Sequence, residues 1–454
     1  MVAEAGVALA FQPLAASRPM PASVIVVGGG LAGLATAAAL GDAGFQVDLY
    51  ESRPFLGGRA TSYEVTDAAE QSETIDNCQH ILLRCCVNLL DFYRRVGVAH
   101  EIEFHKQFFF IEPGGRTSSL KAGMLPAPLH FTEAFARASY LSLGEKLALG
   151  RALLALKRQR TSRRDLDAIT MAQWLEEQKQ PPRVVERFWR QVLVSAINED
   201  LERMAAAHGF QVFWLGFLAS ANSYEMGIPA VPLQRLYTSD AWSELPSVRL
   251  HLKAPVDRFS PEGVQVGGEL RTADYYVSCV PFDRVQQIAP ELQPPQFEHS
   301  PITGIHLWFD RSITQLPHAT LLDRTIQWMF NKGGGRYVQL VVSASRRLTP
   351  MPRQEVIDLA LRELAEFFPR AGEAKLEKAH VVKEVRATFS AAPGLEEQRP
   401  TARTKFPNVF LAGDWTRSGW PATMEGAVRS GYLAAEAVAR AAGIPQSYLL
   451  PDIA

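Results

Sequence analysis

Apolar and polar positions along the chain change their period from stretch to stretch, and the changes outline the elements. "SVIVV" (23–27) is an uninterrupted, β-branched apolar run of the kind that forms a fully buried parallel strand. From Leu31 an Ala/Leu-rich run reads as a helix, and "GFQVDLYE" (44–51) reads as a second strand. Met124 to about Arg203 is mainly helical in pattern. From Pro301 to about Ser390 the strand-like runs "GIHLWFD", "YVQLVVSA" and "HVVKEVRATFS" alternate with one helix, Arg353–Phe368. "NKGGGR" (331–336) sits between strand-like runs and reads as a hairpin turn. Val409–Ala412 reads as a strand, Gly413-Asp414 as a turn, and Met424 to about Val438 as a helix.

Length and composition narrow this picture. A chain of 454 residues is too long for one core and predicts two or three domains. A net charge of −1 gives no field that would favour nucleic acid. Cys78, Cys85, Cys86 and Cys279 form no metal-ligand spacing, so no metal is expected, and their scarcity suits a reducing compartment. Residues 1–21 lack a basic start and an apolar stretch, and are expected to be a loose tail. Met204–Tyr224 has no Asp, Glu, Lys or Arg but carries His208, Gln211 and Asn222, which favours a buried segment over a membrane span.

Chemistry enters at the first strand. Gly28-x-Gly30-x-x-Gly33 follows it directly and opens the helix, a spacing that lets a diphosphate approach the backbone and the helix N-terminus. Glu51 ends the second strand 23 positions after Gly28, where an acid accepts hydrogen bonds from an adenosine ribose. Two further blocks bear on which dinucleotide it is: Gly57-Gly58-Arg59 just beyond Glu51, and Gly413-Asp414 with Met424-Glu425-Gly426-Ala427 near the C-terminus. The last of these aims a helix N-terminus at a ring edge that is negative when the flavin is reduced.

In this order the blocks resemble the FAD-dependent amine oxidase and phytoene desaturase superfamily, over about residues 22 to 442. The resemblance implies an α/β fold: a discontinuous Rossmann-like FAD-binding domain (22–105, 245–300 and 395–445) and a mixed sheet-and-helix substrate domain (106–244 and 301–394). It implies FAD contacts at Gly28, Gly30, Leu31, Ala32, Gly33, Glu51, Ser52, Gly57, Gly58, Arg59, Val256, Gly413, Asp414, Met424 and Ala427, with "ADYYVSCVP" (273–281) completing the domain. No cysteine lies between Gly413 and Met424, so noncovalent attachment is expected. Three stretches are similar, more narrowly, to the hopanoid-associated hydroxysqualene dehydroxylases: 74–98, 196–213 and 226–237. That family usually reads Asp-Asn-Gly-Gln-His where this chain has Cys78, so crowding of the flavin or an altered turn is expected there.

The implied reaction is reductive dehydroxylation of hydroxysqualene to squalene, with hydride from reduced flavin. A carotenoid-type desaturase is the alternative, and a non-catalytic prenyl-lipid carrier on the same fold is the reading of another class. The leaving oxygen needs a proton, and Asp76 and His80 are the candidate acids, each with a structural role as its rival. Phe210, Phe213, Trp214, Phe217, Leu218 and Trp415 are candidates for the walls of an apolar triterpenoid pocket. With no second nucleotide fingerprint, electrons pass to or from an external partner of unknown identity, or a nicotinamide bound without a Rossmann signature. Residues 141–164 carry Leu143, Leu147 and Leu154 on one helical face, Leu149, Leu153 and Leu156 on another, and a basic end. They read either as a core helix with a solvated end or as a peripheral contact with the inner face of the cell membrane from the cytoplasm.

Overall fold

The computed structural model describes residues 22–66, 72–238, 242 and 244–453; the expected tail, 1–21, lies outside the described residues. Ser23–Val27 forms the middle strand of a five-stranded parallel sheet, flanked by Gln46–Tyr50 and Tyr275–Ser278. Val248–His251 and Val409–Leu411 close its two edges. The sheet therefore draws strands from three separated parts of the chain.

The helix Leu31–Asp42 is buried along nearly its whole length, because it is covered by the sheet and by the C-terminal helix Met424–Ala441. Small residues allow that approach: a Cβ on Gly431 would stand 2.3 Å from the carbonyl oxygen of Ala32. The C-terminal helix starts at Thr423, whose Oγ1 accepts the Gly426 N–H at 3.0 Å.

A seven-stranded sheet makes the second layer. Its strands run in the order Leu376–Phe389, His299–Phe309, Tyr337–Ser343, Trp328–Gly333, His318–Leu321, Gln107–Ile111 and Thr117–Lys121. Trp328–Gly333 and Tyr337–Ser343 pair antiparallel around the expected hairpin at 331–336. Gln107–Ile111 and Thr117–Lys121 were not legible as strands, since "QFFFI" has no alternation to mark it. The helix Arg353–Phe367 packs on this layer.

The helical part runs from Thr132–Arg137 to the turn Trp214–Leu218. Its longest member, Leu143–Ser162, begins with a reciprocal cap: Ser142 N–H donates to Glu145 Oε2 at 2.7 Å and Glu145 N–H donates back to Ser142 Oγ. The two expected apolar stripes of this helix part company. Leu149 and Leu156 are buried in the core, whereas Leu143, Leu147 and Leu154 are 73%, 61% and 58% exposed. Among the described residues no helix is long and apolar enough to cross a membrane.

Candidate cofactor and substrate site

Two cavities meet between the layers. The first, of about 480 Å³, lies against the glycine-rich turn. Gly28 takes φ +107° there, and its N–H donates to the Tyr50 carbonyl at 2.8 Å, holding the turn against the second strand. Gly33 does not line the cavity; a Cβ on it would stand 1.9 Å from the Gly28 carbonyl oxygen, so its bareness serves helix–strand packing. Gly30 is the opposite case. A Cβ there would have only Gly58 Cα within 4 Å, at 3.9 Å, leaving an open slot between two glycines over the helix N-terminus. The first amides of that helix have no side-chain cap, and Leu31 and Ala32 line the slot. This is the space and the donor set that a diphosphate fits.

Glu51 is buried beside the slot. Its Oε2 accepts the Gly29 N–H at 2.7 Å, and its Oε1 accepts the Arg53 N–H at 2.8 Å and the Ser52 hydroxyl at 3.1 Å. The carboxylate is thus held in one orientation at the edge of the slot. Ser52, Gly57, Gly58, Val256, Gly413, Met424 and Ala427 line the same cavity. So do Arg59 and Asp414, which form an ion pair at 2.7 Å. Asp414 is held from behind by a residue that no motif announced: buried Arg399 donates to its carbonyl at 2.9 Å and to that of Thr416.

The 76–80 segment departs from expectation at Asp76. Asp76 lines neither cavity. Its Oδ1 accepts from Ser62 Oγ at 2.7 Å and Leu233 N–H at 3.0 Å, and its Oδ2 pairs with Lys332 Nζ at 3.0 Å. Burial opposes its charge, but Lys332 and these bonds outweigh burial and hold the carboxyl below its usual range. Such an ionised, triply bonded group has no proton to give, so Asp76 anchors the segment instead of acting as an acid. Lys332, on the hairpin, also donates to Gln79 Oε1 at 3.2 Å, tying the segment to the large sheet. Cys78 takes φ +63° and lies against Gly304, where a Cβ would stand 3.2 Å from its Sγ. Cys78 thus stands in backbone that favours glycine, its thiol against a bare Cα of the large sheet, and it lines the cofactor cavity.

His80 does line the cofactor cavity. Burial lowers its pKa despite the Cys78 carbonyl, so the ring is neutral at neutral pH. Its Nδ1 stands 3.2 Å from that carbonyl. A carbonyl only accepts, which puts the proton on Nδ1 and leaves Nε2 with a lone pair.

The second cavity, of about 740 Å³, is almost wholly apolar in its lining. Phe213, Phe217 and Leu218 line it as expected; Phe210 and Trp214 do not. Phe210 packs edge-on against Trp174 at 4.9 Å, and the Trp214 ring is covered by the Arg160 guanidinium at 3.7 Å. Trp415 belongs to the cofactor cavity, its Nε1 donating to the Val280 carbonyl at 3.0 Å. The walls that went unseen are Phe108, Phe110, Phe131, Phe135, Phe188 and Trp328, spread over distant elements with no shared local pattern. Ile81, Ser195, Ala196, Thr423 and Met424 line both cavities. Among the described residues no cluster of His, Cys, Asp and Glu is suited to a metal ion.

Comparison with known proteins agrees with this architecture. The model of the family "Flavin containing amine oxidoreductase" matches residues 31–439. The 15-cis-phytoene desaturase of an Oncidium hybrid cultivar is 26% identical, over 92% of this chain and 78% of its own. The probable zeta-carotene desaturase of Synechococcus elongatus is 28% identical, over 93% and 99%. Among solved structures, a redesigned putrescine oxidase aligns with TM-score 0.67 at 16% identity, covering 93% of this chain and 98% of that one. An oxidoreductase from Methanosarcina mazei gives TM-score 0.68 at 15% identity, over 90% and 98%. The fold is the α/β fold of these oxidoreductases, and the cofactor is FAD. The chain belongs to the flavin-containing amine oxidoreductase family.

Proposed function

We propose that this oxidoreductase exchanges a hydride between FAD and an allylic carbon of a long isoprenoid chain. The observation that carries the reading is the meeting of the two cavities along Ile81, Ser195, Ala196, Thr423 and Met424. Bound FAD supplies a hydride acceptor when oxidised and a donor when reduced. The apolar walls hold the chain and keep water from a cationic carbon.

Carotenoid-type desaturation is the finer reading with the broader support. The relatives are named for it over more than nine-tenths of this chain. In that reaction a hydride leaves one carbon, a proton leaves its neighbour, and a double bond forms between them. Neutral His80, with its Nε2 lone pair beside the cofactor cavity, suits the proton-accepting role. Reductive dehydroxylation of hydroxysqualene is the second reading, supported by the likeness of 74–98, 196–213 and 226–237 to that family. There the C–O bond breaks, the oxygen leaves as water and hydride takes its place. It needs protonated His80, so its rate rises as the pH falls.

Anaerobic mixing separates the two. Oxidised holoenzyme bleached by phytoene establishes desaturation, whereas reduced holoenzyme reoxidised by hydroxysqualene with release of squalene establishes dehydroxylation. In either case His80→Ala slows the step by roughly 10²–10⁴-fold with flavin retained. Inertness toward both compounds defeats the isoprenoid reading.

The cavity mouth suggests how such a substrate arrives. Leu129, Leu143, Leu147 and Leu154 are at once exposed and part of the apolar lining, which marks them as its rim. Met124, fully exposed, and Leu125 precede them, and Lys146, Arg151 and Lys157 stand in the same lining. We propose that this rim rests on an anionic bilayer, its leucines in the acyl boundary and its cations at the headgroups. Leu143→Asp with Leu147→Asp then abolishes sedimentation with phosphatidylglycerol vesicles and leaves the fold intact. A wild-type protein that never sediments with them overturns this.

A further inference from the structure

Two polar side chains stand in the wall of the apolar cavity without partners. Gln191, at the start of the helix Gln191–Ile197, is 8% exposed, and its Oε1 has no hydrogen-bond partner among the described residues. Thr320, on the strand His318–Leu321, is 1% exposed, and its Oγ1 is equally without one. A hydrogen bond ties the helix that carries Gln191 to the strand beside the one that carries Thr320. Trp328, which pairs with Thr320 across the sheet, donates from Nε1 to Ser195 Oγ at 2.7 Å. Ser195 lies one turn after Gln191 and donates its own proton to the Gln191 carbonyl, also at 2.7 Å. Ser195 is therefore satisfied, while the two side chains on either side of this link are not. Ser195 also lines the cofactor cavity, so the group stands near the flavin end of the apolar one.

A buried polar atom without a partner is destabilising, and an all-hydrocarbon ligand leaves both atoms in that state. A hydroxyl is donor and acceptor at once: it can give its proton to Gln191 Oε1 and accept the proton of Thr320 Oγ1. We propose that Gln191 and Thr320 form a hydroxyl-recognition subsite, and that the cavity prefers an isoprenoid carrying a hydroxyl over the corresponding hydrocarbon. The proposal rests on the isoprenoid reading above and sides with its dehydroxylation branch, because a carotenoid hydrocarbon has no hydroxyl to offer these two atoms. A site built to bond a hydroxyl rejects the analogue lacking it more strongly than an apolar pocket rejects an added one.

The test is binding, without turnover. Oxidised holoenzyme is titrated with hydroxysqualene and with squalene, following tryptophan fluorescence. The expected result is affinity about tenfold or more higher for hydroxysqualene. Gln191→Leu combined with Thr320→Val removes that preference and leaves squalene binding unchanged or tighter, with flavin content reporting the fold. Thr320→Ser, which keeps the hydroxyl, retains the preference. Equal wild-type affinity for both ligands, or a preference that survives the double variant, overturns the subsite while the isoprenoid reading stands. Binding of neither ligand overturns both.

Discussion

The two cavities are built in different ways. The cofactor cavity owes its shape to missing side chains: Gly28, Gly30 and Gly58 bring backbone to backbone, and single acids at Glu51 and Asp414 are held by bonds from behind. The apolar cavity owes its shape to large side chains from both the helical part and the seven-stranded sheet, none closely dependent on its sequence neighbours. One is limited by steric contact at the backbone, where nothing can move. The other is limited by rotamers, which can. Substitutions in the first should therefore act all or none, and in the second by degrees.

The sharpest trial compares two glycines three positions apart. Gly33→Ala forces a Cβ to 1.9 Å from the Gly28 carbonyl, and should destabilise the protein by more than about 3 kcal/mol, read as loss of soluble, folded chain. Gly30 has φ −77° and open space, so Gly30→Ala should leave stability unchanged or raise it by up to about 1 kcal/mol while flavin is lost. A folded, yellow Gly30→Ala protein would break the assignment of the slot to a diphosphate.

Acid should act largely through buried histidines outside the linings of both cavities. Burial pushes His208 and His318 down to about 4 and His306 to about 3, and none of the three lines a cavity. Between about pH 5 and 6 the three rings are neutral when folded and charged when unfolded. Burial also raises Glu425 to about 7, so that group holds a proton that the unfolded chain releases. For these four groups three protons gained on unfolding less one lost leaves two, and they alone should lower stability by roughly 3 kcal/mol per pH unit as the pH drops through this window. Urea melts at pH 6 and 5 measure it. Flavin should leave together with the fold; release well before unfolding would place the acid-labile part in the cofactor cavity.

Smaller effects complete the series. Glu51→Gln sets an amide N–H₂ against the Gly29 or the Arg53 N–H, and should weaken FAD binding roughly 10–100-fold, measured by flavin titration of apoprotein. Phe217→Leu in the apolar wall should cost less than about 1.5 kcal/mol in thermal melts. Its main outcome should be an altered preference for isoprenoid chain length. A collapse of stability in that variant would show the apolar cavity to be as rigid as its neighbour.

Much of the cofactor side was legible because its determinants are local. Gly28 through Glu51 form a strand, turn, helix and strand whose spacing can be counted, and the same holds for Gly413 to Ala427. The long helix at 143–162 was equally legible as a helix. Which of its leucine stripes faces the core was not, because both faces have the same period and only the neighbouring elements cover one of them.

The sequence by itself determined the glycine turn with its acid, the hairpin at 331–336 and the C-terminal helix, since each is set by steric and hydrogen-bonding rules within a few residues, and the order of its blocks carried the family resemblance that implied FAD. Only the tertiary structure decided that Asp76 is an anchor paired with Lys332, that Phe210 and Trp214 face away from the cavity, and that Arg399 braces Asp414. Each of those facts depends on a partner remote in sequence or on which face of a helix is covered. Short-range patterns record a residue's own preferences, but burial, charge pairing and cavity walls arise from long-range contacts, which no periodicity encodes.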